Sequence, residues 1–438
     1  MTGPAPPFPT RHKGQIPVTE LLAKASRSLL DVWGEEMFHS RGTVLDVLGQ
    51  RLMVFNRPEA VEQVLVTQAD SFAAKPAQLR KCLAPLMGEG LFIAEGAGWR
   101  GRRPATAAAT ACPAPPRAIA AVAAEWRDLW RTRPAGARIE LVGAMEACAA
   151  ELLCRMLFGA AGGRVASAEL ARLAAAYRGK ISGKGLITML ALPESLARMR
   201  VSGEARRIHG AVDRLVEGAR RLPDHPMARL AEAPGMTKAM LRQEAISLLA
   251  MGLDALAGLL AAAWFLLALS PKAEAGLHAE LAEQLGGRPP EAEDIARLPV
   301  TRALLLETLR LYPPVPLLMR VAARETEVAG VPVPAGSLAC VAPWVIHRHQ
   351  ALWDAPDEFR PARFMPDAPA PKPFAYLPFG LGPRHCVGKE MTVNMAMLLL
   401  ATLAQEFRLH LTPGPLPVPQ AGLTLRLAER LPMRLERR

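Results

Sequence analysis

The sequence predicts a mainly α fold with small β-sheets, built as a single large unit over residues 1–438. Three observations predict it. Half of the 438 residues are hydrophobic and only 5% are aromatic, and the abundance of Ala and Leu favours helix over sheet. Helical periodicity runs through most of 99–311, interrupted by Gly and Pro joints. Short strand-like stretches gather near both ends, and no internal repeat or domain boundary divides the chain.

Taken in order, residues 1–17 are Pro-rich and polar. They lack the apolar stretch of a signal peptide or N-terminal membrane anchor and read as a flexible segment. Residues 18–38 have helical spacing, 42–55 read as two strands around Gly49-Gln50, and a helix follows Pro58. Residues 74–94 read as an apolar loop. After the long helical region, short strands appear between 321 and 341. A Pro-rich loop covers 356–383, a last helix about 388–406, and strands 407–435. Residues 245–270 are apolar with Asp254 as the sole charge, long enough for a membrane span. The central Asp, the small residues Gly252, Ala255 and Gly258, and the lack of any second such stretch favour a core helix of a soluble protein; the chain is expected to be cytoplasmic and monomeric.

The formal net charge of +12 suits an acidic partner. No zinc-finger spacing and no basic run interleaved with aromatics points to nucleic acid. Six cysteines, at 82, 112, 148, 154, 340 and 386, form no C-x-x-C pair and are not expected to make disulfides. Five read as small buried apolar residues.

Cys386 stands apart because of its neighbours. Phe379-Gly380-Leu381-Gly382-Pro383-Arg384-His385-Cys386-Val387-Gly388 is a tight loop whose glycines let backbone approach a flat ligand. A helix follows, whose N-terminus favours a thiolate, and Arg384 adds a cation. The decapeptide resembles the haem-binding signature F-x-x-G-x-R-x-C-x-G of the cytochromes P-450 at every specified position. The resemblance continues upstream. Glu307-Thr308-Leu309-Arg310 is similar to the family's E-x-x-R helix, and Pro361-Ala362-Arg363-Phe364 to its P-E-R-F segment, with Ala362 replacing the Glu.

This resemblance implies a cytochrome P-450 fold with haem b between a long central helix and the cysteine loop. It implies Cys386 as the iron ligand, with Phe379 and Gly388 shaping its loop. Trp99, Arg103, Arg320 and Arg384 are then expected at the haem propionates, since carboxylates favour Arg partners. Glu307, Arg310 and Arg363 are expected to form a structural ion network, and His347 and Arg348 to be structural too. The implied activity is a haem-thiolate monooxygenase acting with O2 on a hydrophobic substrate. No flavin or iron–sulfur motif is fused to the chain, so electrons are expected from a separate ferredoxin and ferredoxin reductase. Arg100, Arg102 and Lys389 are candidates for docking such an acidic carrier. Substrate pocket candidates are the 74–94 and 181–196 regions, Leu248, Met251, Val315, Leu317, Leu318 and Leu423.

One departure matters for catalysis. Met251-Gly252-Leu253-Asp254-Ala255 is similar to the family's A/G-G-x-D/E-T motif, so Gly252 and Asp254 match. Ala255 stands where the family has Thr, and a methyl group neither donates nor accepts a hydrogen bond. Asp254 remains the candidate proton relay. A substrate hydroxyl or water replaces the missing group, or dioxygen leaks as peroxide, or the enzyme uses peroxide directly as a peroxygenase. The last alternative ranks second, because residues 245–270 carry no Arg of the kind that holds a fatty-acid carboxylate in peroxide-using relatives.

Overall fold

The computed structural model describes residues 5–47, 49–111, 116–182, 192–222 and 225–438. Its helices are α1 (Val18–Arg27), α2 (Pro58–Glu62), α3 (Ala77–Met87), α4 (Gly96–Ala111), α5 (Pro116–Arg131), α6 (Leu141–Phe158) and α7 (Arg164–Ile181). They continue as α8 (Glu194–Ala219), α9 (Pro226–Ala231), α10 (Lys238–Leu269), α11 (Pro271–Leu285), α12 (Pro299–Leu311), α13 (Pro343–Ile346) and α14 (Lys389–Ala404). The strands are β1 (Gly42–Val47), β2 (Gln50–Phe55), β3 (Arg138–Glu140), β4 (Leu318–Val321), β5 (Thr326–Val328), β6 (Val331–Val333), β7 (Leu338–Val341), β8 (Phe407–Leu411), β9 (Gln420–Ala421), β10 (Leu425–Arg426) and β11 (Pro432–Arg437). Helices dominate and the sheets are small, as composition predicts.

The axis of the molecule is α10. The Thr237 hydroxyl accepts a hydrogen bond from the Met240 N–H and caps its start. Its end falls at Leu269 because Pro271 has no N–H to continue the ladder and opens α11, capped by Ser270. Helices α6, α12 and α14 pack against it. By length and apolarity α10 qualifies as a membrane span, yet Ala245, Leu253, Leu260 and Phe265 are all buried inside the protein. Its hydrophobicity is that of a core helix, as the Asp and small residues suggest.

A four-stranded sheet runs β1-β2-β7-β4, with β2 and β7 parallel and the other pairs antiparallel. It sets Arg320 opposite Ala339. A second sheet, β3-β11-β8, ties the C-terminal strands to the start of α6. The β9–β10 hairpin carries Leu423 and Thr424 at its turn.

Two expectations need correction. Residues 18–38 are not one helix: α1 stops at Arg27, and a short 3-10 turn covers Glu35–Phe38. The 74–94 stretch is not all loop. It contains α3, whose Cys82, Leu83, Leu86 and Met87 are buried at helical spacing; Pro85 near its end hides that periodicity. Within 1–17, read from the sequence as flexible, Arg11 lies 3.7 Å from the Phe38 ring and donates to Asp357 at 2.7 Å.

Glu307, Arg310 and Arg363 come together in the structure. Glu307 and Arg310 are fully buried and paired through two bonds of 2.7 and 2.8 Å. Arg310 also donates to the carbonyls of His347, Pro356 and Glu358. Arg363 reaches Glu307 at 3.4 Å. Ala362 costs the network nothing visible, since the Arg363 side chain alone makes the contact. Arg348 lies over the Trp344 ring at 3.6 Å.

His347 links this hub to the segment before the cysteine loop. Its Nε2 accepts from the Leu377 N–H, so Nδ1 carries the proton and donates to the Arg310 carbonyl. Burial, the largest cause, pushes its pKa down to about 3 from 6.5. The folded form therefore refuses a proton that the unfolded chain accepts, and this contribution to stability is lost as pH falls from 6.5 toward 3. Thermal melts across that window are expected to show a smaller pH-dependent loss for His347→Asn than for the parent protein. Equal slopes would argue against this role for His347.

Candidate active site

The cysteine loop is shaped by two glycines with left-handed backbone. Gly380 and Gly382 have φ of +67° and +66°. A Cβ on Gly382 would lie 1.8 Å from the Leu65 carbonyl oxygen. The Cys386 N–H closes the loop on the Phe379 carbonyl at 2.8 Å. The Thr110 hydroxyl of α4 donates to the Val387 carbonyl and fixes the loop from below.

Above this loop lies a cavity of about 340 Å³. Cys386, Phe379 and Gly388 form one wall, and Leu248, Met251, Gly252, Asp254 and Ala255 of α10 another. Val315, Leu317, Leu318 and Leu423 also line it, as do Trp99, Arg103, Arg320 and Arg384. The structure thus brings the predicted site residues to one cavity, and the lining is mostly apolar. Of the 181–196 region, Ile181 and Ser182 reach the cavity; residues 183–191 lie outside the described residues. A side chain at 252 would press on Leu153, 3.2 Å from the Cβ position.

Cys386 is exposed only where it opens on the cavity; protein encloses it elsewhere. That enclosure raises the thiol pKa, against the pull of the Gly388 N–H and Arg103. The stabilisation expected from the helix start is therefore outweighed by burial. A bound metal ion reverses the balance, because it deprotonates a coordinating thiol outright.

Cations crowd the same cavity. Arg103, Arg320 and Arg384 are joined by Lys75, only 8% exposed. Among the described residues none of the four has an ion-pair partner. Arg384 instead donates to the Ala94 carbonyl and lies 4.4 Å from the Trp99 ring. The Lys75 ammonium sits 3.7 Å from the Phe92 ring. Burial, then the charges of Arg320 and Arg384, hold the Lys75 pKa well below its ordinary value, and burial with Arg384 pushes Arg320 down to about 10. Glu95 offsets part of this charge at longer range, and the four converging cations still leave a positive site for an anion. A single sulfur ligand, an apolar slot and this cluster fit haem b with its two propionates. Lys75 was not legible as a site residue, because a lone Lys before Pro76 carries no local signal.

Arg102 turns out not to face a partner. Its side chain is 11% exposed and donates to Gln243 and Glu244, each at 3.0 Å. Glu244, fully buried on α10, also accepts the Leu91 N–H and the Thr106 hydroxyl. Ser247 accepts the Phe92 N–H at 3.0 Å. Together they clamp the loop after α3 to the distal helix. Arg100 and Lys389 are exposed. Asp254 is engaged on both oxygens: Arg178 of α7 donates to one, and the Thr424 hydroxyl to the other at 3.1 Å. Arg178 and Thr424 were missed, since they meet Asp254 only in the fold.

The sequence profile of the family described as "Cytochrome P450" matches residues 43–429. Cyclooctatin synthase of Streptomyces melanosporofaciens is 32% identical over 389 residues, 84% of this chain and 83% of its own. Pentalenene oxygenase of Streptomyces avermitilis is 31% identical over 269 residues, 58% of this chain and 60% of its own. Among solved structures, a crystal structure of a cytochrome P450 superposes with a TM-score of 0.82 at 22% identity, covering 99% of this chain and 100% of the other.

Proposed function

The chain belongs to the cytochrome P450 family and is a monooxygenase-type oxidoreductase, and from that premise we propose that it hydroxylates a terpenoid-like carbon skeleton using electrons from a separate ferredoxin and its reductase. The observation that carries the substrate class is the cavity, whose walls at Leu248, Met251, Val315, Leu317 and Leu423 offer apolar contact to a compact hydrocarbon. Similarity to cyclooctatin synthase and pentalenene oxygenase supports the same class. Exposed Arg100, together with exposed Lys389 just beyond the cysteine loop in the chain, offers positive charge for an acidic electron carrier.

Haem, when bound, supplies the redox chemistry that splits dioxygen and places one oxygen atom on carbon. The protein's own part is divided among named groups. Cys386 provides the sulfur ligand; Lys75, Arg103, Arg320 and Arg384 neutralise the propionates. Leu248, Met251 and Leu423 exclude water and orient the substrate. Asp254 lines the cavity as an acceptor that can orient a water or substrate hydroxyl, while Ala255 contributes no hydroxyl beside it.

The test is turnover of a cyclic terpene by the reconstituted protein with NADPH, ferredoxin and reductase. A hydroxylated product that requires all three supports the reading. Equal turnover with hydrogen peroxide alone would replace it with the peroxygenase alternative. Introducing the absent hydroxyl in Ala255→Thr is expected to lower peroxide released per electron pair severalfold. The added atoms project into the cavity, so the fold should tolerate them. Unchanged coupling would show that position 255 plays no part in proton supply.

A further inference from the structure

Besides the cation cluster, the cavity has a second polar region, formed by Arg178, Ser182, Asp254 and Thr424. Its charges are internally balanced. Arg178 donates to Asp254 and, at 3.0 Å, to Glu146; Arg426 donates to Glu146 at 2.6 Å. Two guanidinium groups face two carboxylates. A substrate carboxylate brought here would add a third negative charge without a free cation to meet it. The arginine that reaches the α10 wall is thus already committed, and a fatty-acid headgroup finds no anchor in it. A pure hydrocarbon would desolvate the region and offer nothing in return.

Hydrogen-bond direction narrows the choice further. The Thr424 proton is given to Asp254, which leaves the hydroxyl oxygen with lone pairs. The carboxylate is acceptor-only. Thr424 and Asp254 together present acceptors to the cavity, and they suit a neutral donor. Ser182 lies beside them, its Oγ 3.4 Å from where a Cβ on Gly422 would stand.

We propose that the substrate carries one hydroxyl on an otherwise apolar ring skeleton, and that Thr424, oriented by Asp254 and Arg178, accepts its hydrogen bond and so fixes which carbon is oxidised. This rests on the monooxygenase reading above and adds the polar handle to it.

Three probes share one carbon skeleton: limonene, perillyl alcohol and perillic acid. Their binding to the haem-loaded full chain is read from the shift in the haem absorption spectrum on titration. Transfer from water alone favours the hydrocarbon, so tighter binding of the alcohol inverts that order. The alcohol is expected to bind about tenfold more tightly than the hydrocarbon or the acid, one hydrogen bond's worth. Thr424→Val should reduce the alcohol to the level of the hydrocarbon and leave limonene unchanged, whereas Thr424→Ser should retain the preference. Limonene binding as well as the alcohol, the acid binding best, or a preference surviving in Thr424→Val would each overturn the proposal while leaving the monooxygenase reading intact. A spectrum that responds to none of the three would overturn the apolar pocket itself, and the hydroxyl site with it.

Discussion

Cys386→Ser is expected to abolish the thiolate signature in the reduced, CO-bound absorption spectrum and to cut oxygenation by at least about 100-fold. Serine keeps the size and the loop contacts, including the Phe379 carbonyl that accepts from the residue 386 backbone, so folding should survive. The comparison is direct: the parent protein and the variant are loaded with haem, reduced, exposed to CO and scanned. A variant retaining the parent spectrum would assign the sulfur ligand elsewhere. Among the described residues the other cysteines are buried at Cys82, Cys148, Cys154 and Cys340, away from the cavity lining, so none of them is a ready substitute.

Glu307→Ala carries the second large effect. It leaves Arg310 charged at zero exposure, and breaking a buried pair from one side costs about 3–5 kcal/mol. That is a large part of the marginal stability of an ordinary domain, about 5–15 kcal/mol. Arg310 reaches three carbonyls between 347 and 358, so its displacement should spread to the His347 link and the segment entering the cysteine loop. The expected result is little soluble haem-loaded protein and a sharply lowered melting temperature. Glu307→Gln, which keeps the shape and one acceptor, should be milder. If Glu307→Ala melted like the parent protein, the hub would not hold the core.

The cysteine loop and the Glu307/Arg310 helix were readable because their chemistry is local. Ten consecutive residues fix the backbone around Cys386, and a pair three residues apart on a helix meets whatever the rest of the chain does. The interior helix was readable for the same reason, as a 26-residue stretch with Asp254 as its sole charge carries its own signal. The groups that escaped are those assembled from distant segments. Asp254 and Thr424 are 170 residues apart in the chain, and Leu91 and Glu244 are 153. Arg102 illustrates the cost: its position in a basic run suggests an exposed face, while only the tertiary fold reveals the buried Glu244 that it meets. A buried acid in an apolar helix is itself a demand for a partner, so Glu244 was the one available hint.

The clamp between α10 and the loop after α3 bears on redesign of the pocket. Leu91 and Phe92 look like obvious targets for widening it, since both line the cavity. Their backbone, however, is strung between Glu244 and Ser247 on one side and, through the Ile93 and Ala94 carbonyls, Arg80 and Arg384 on the other. Reshaping that stretch would loosen cofactor retention along with substrate fit. Leu248 and Leu423 sit outside this chain of bonds, so libraries aimed at new substrates should vary them first and leave 91–94 alone.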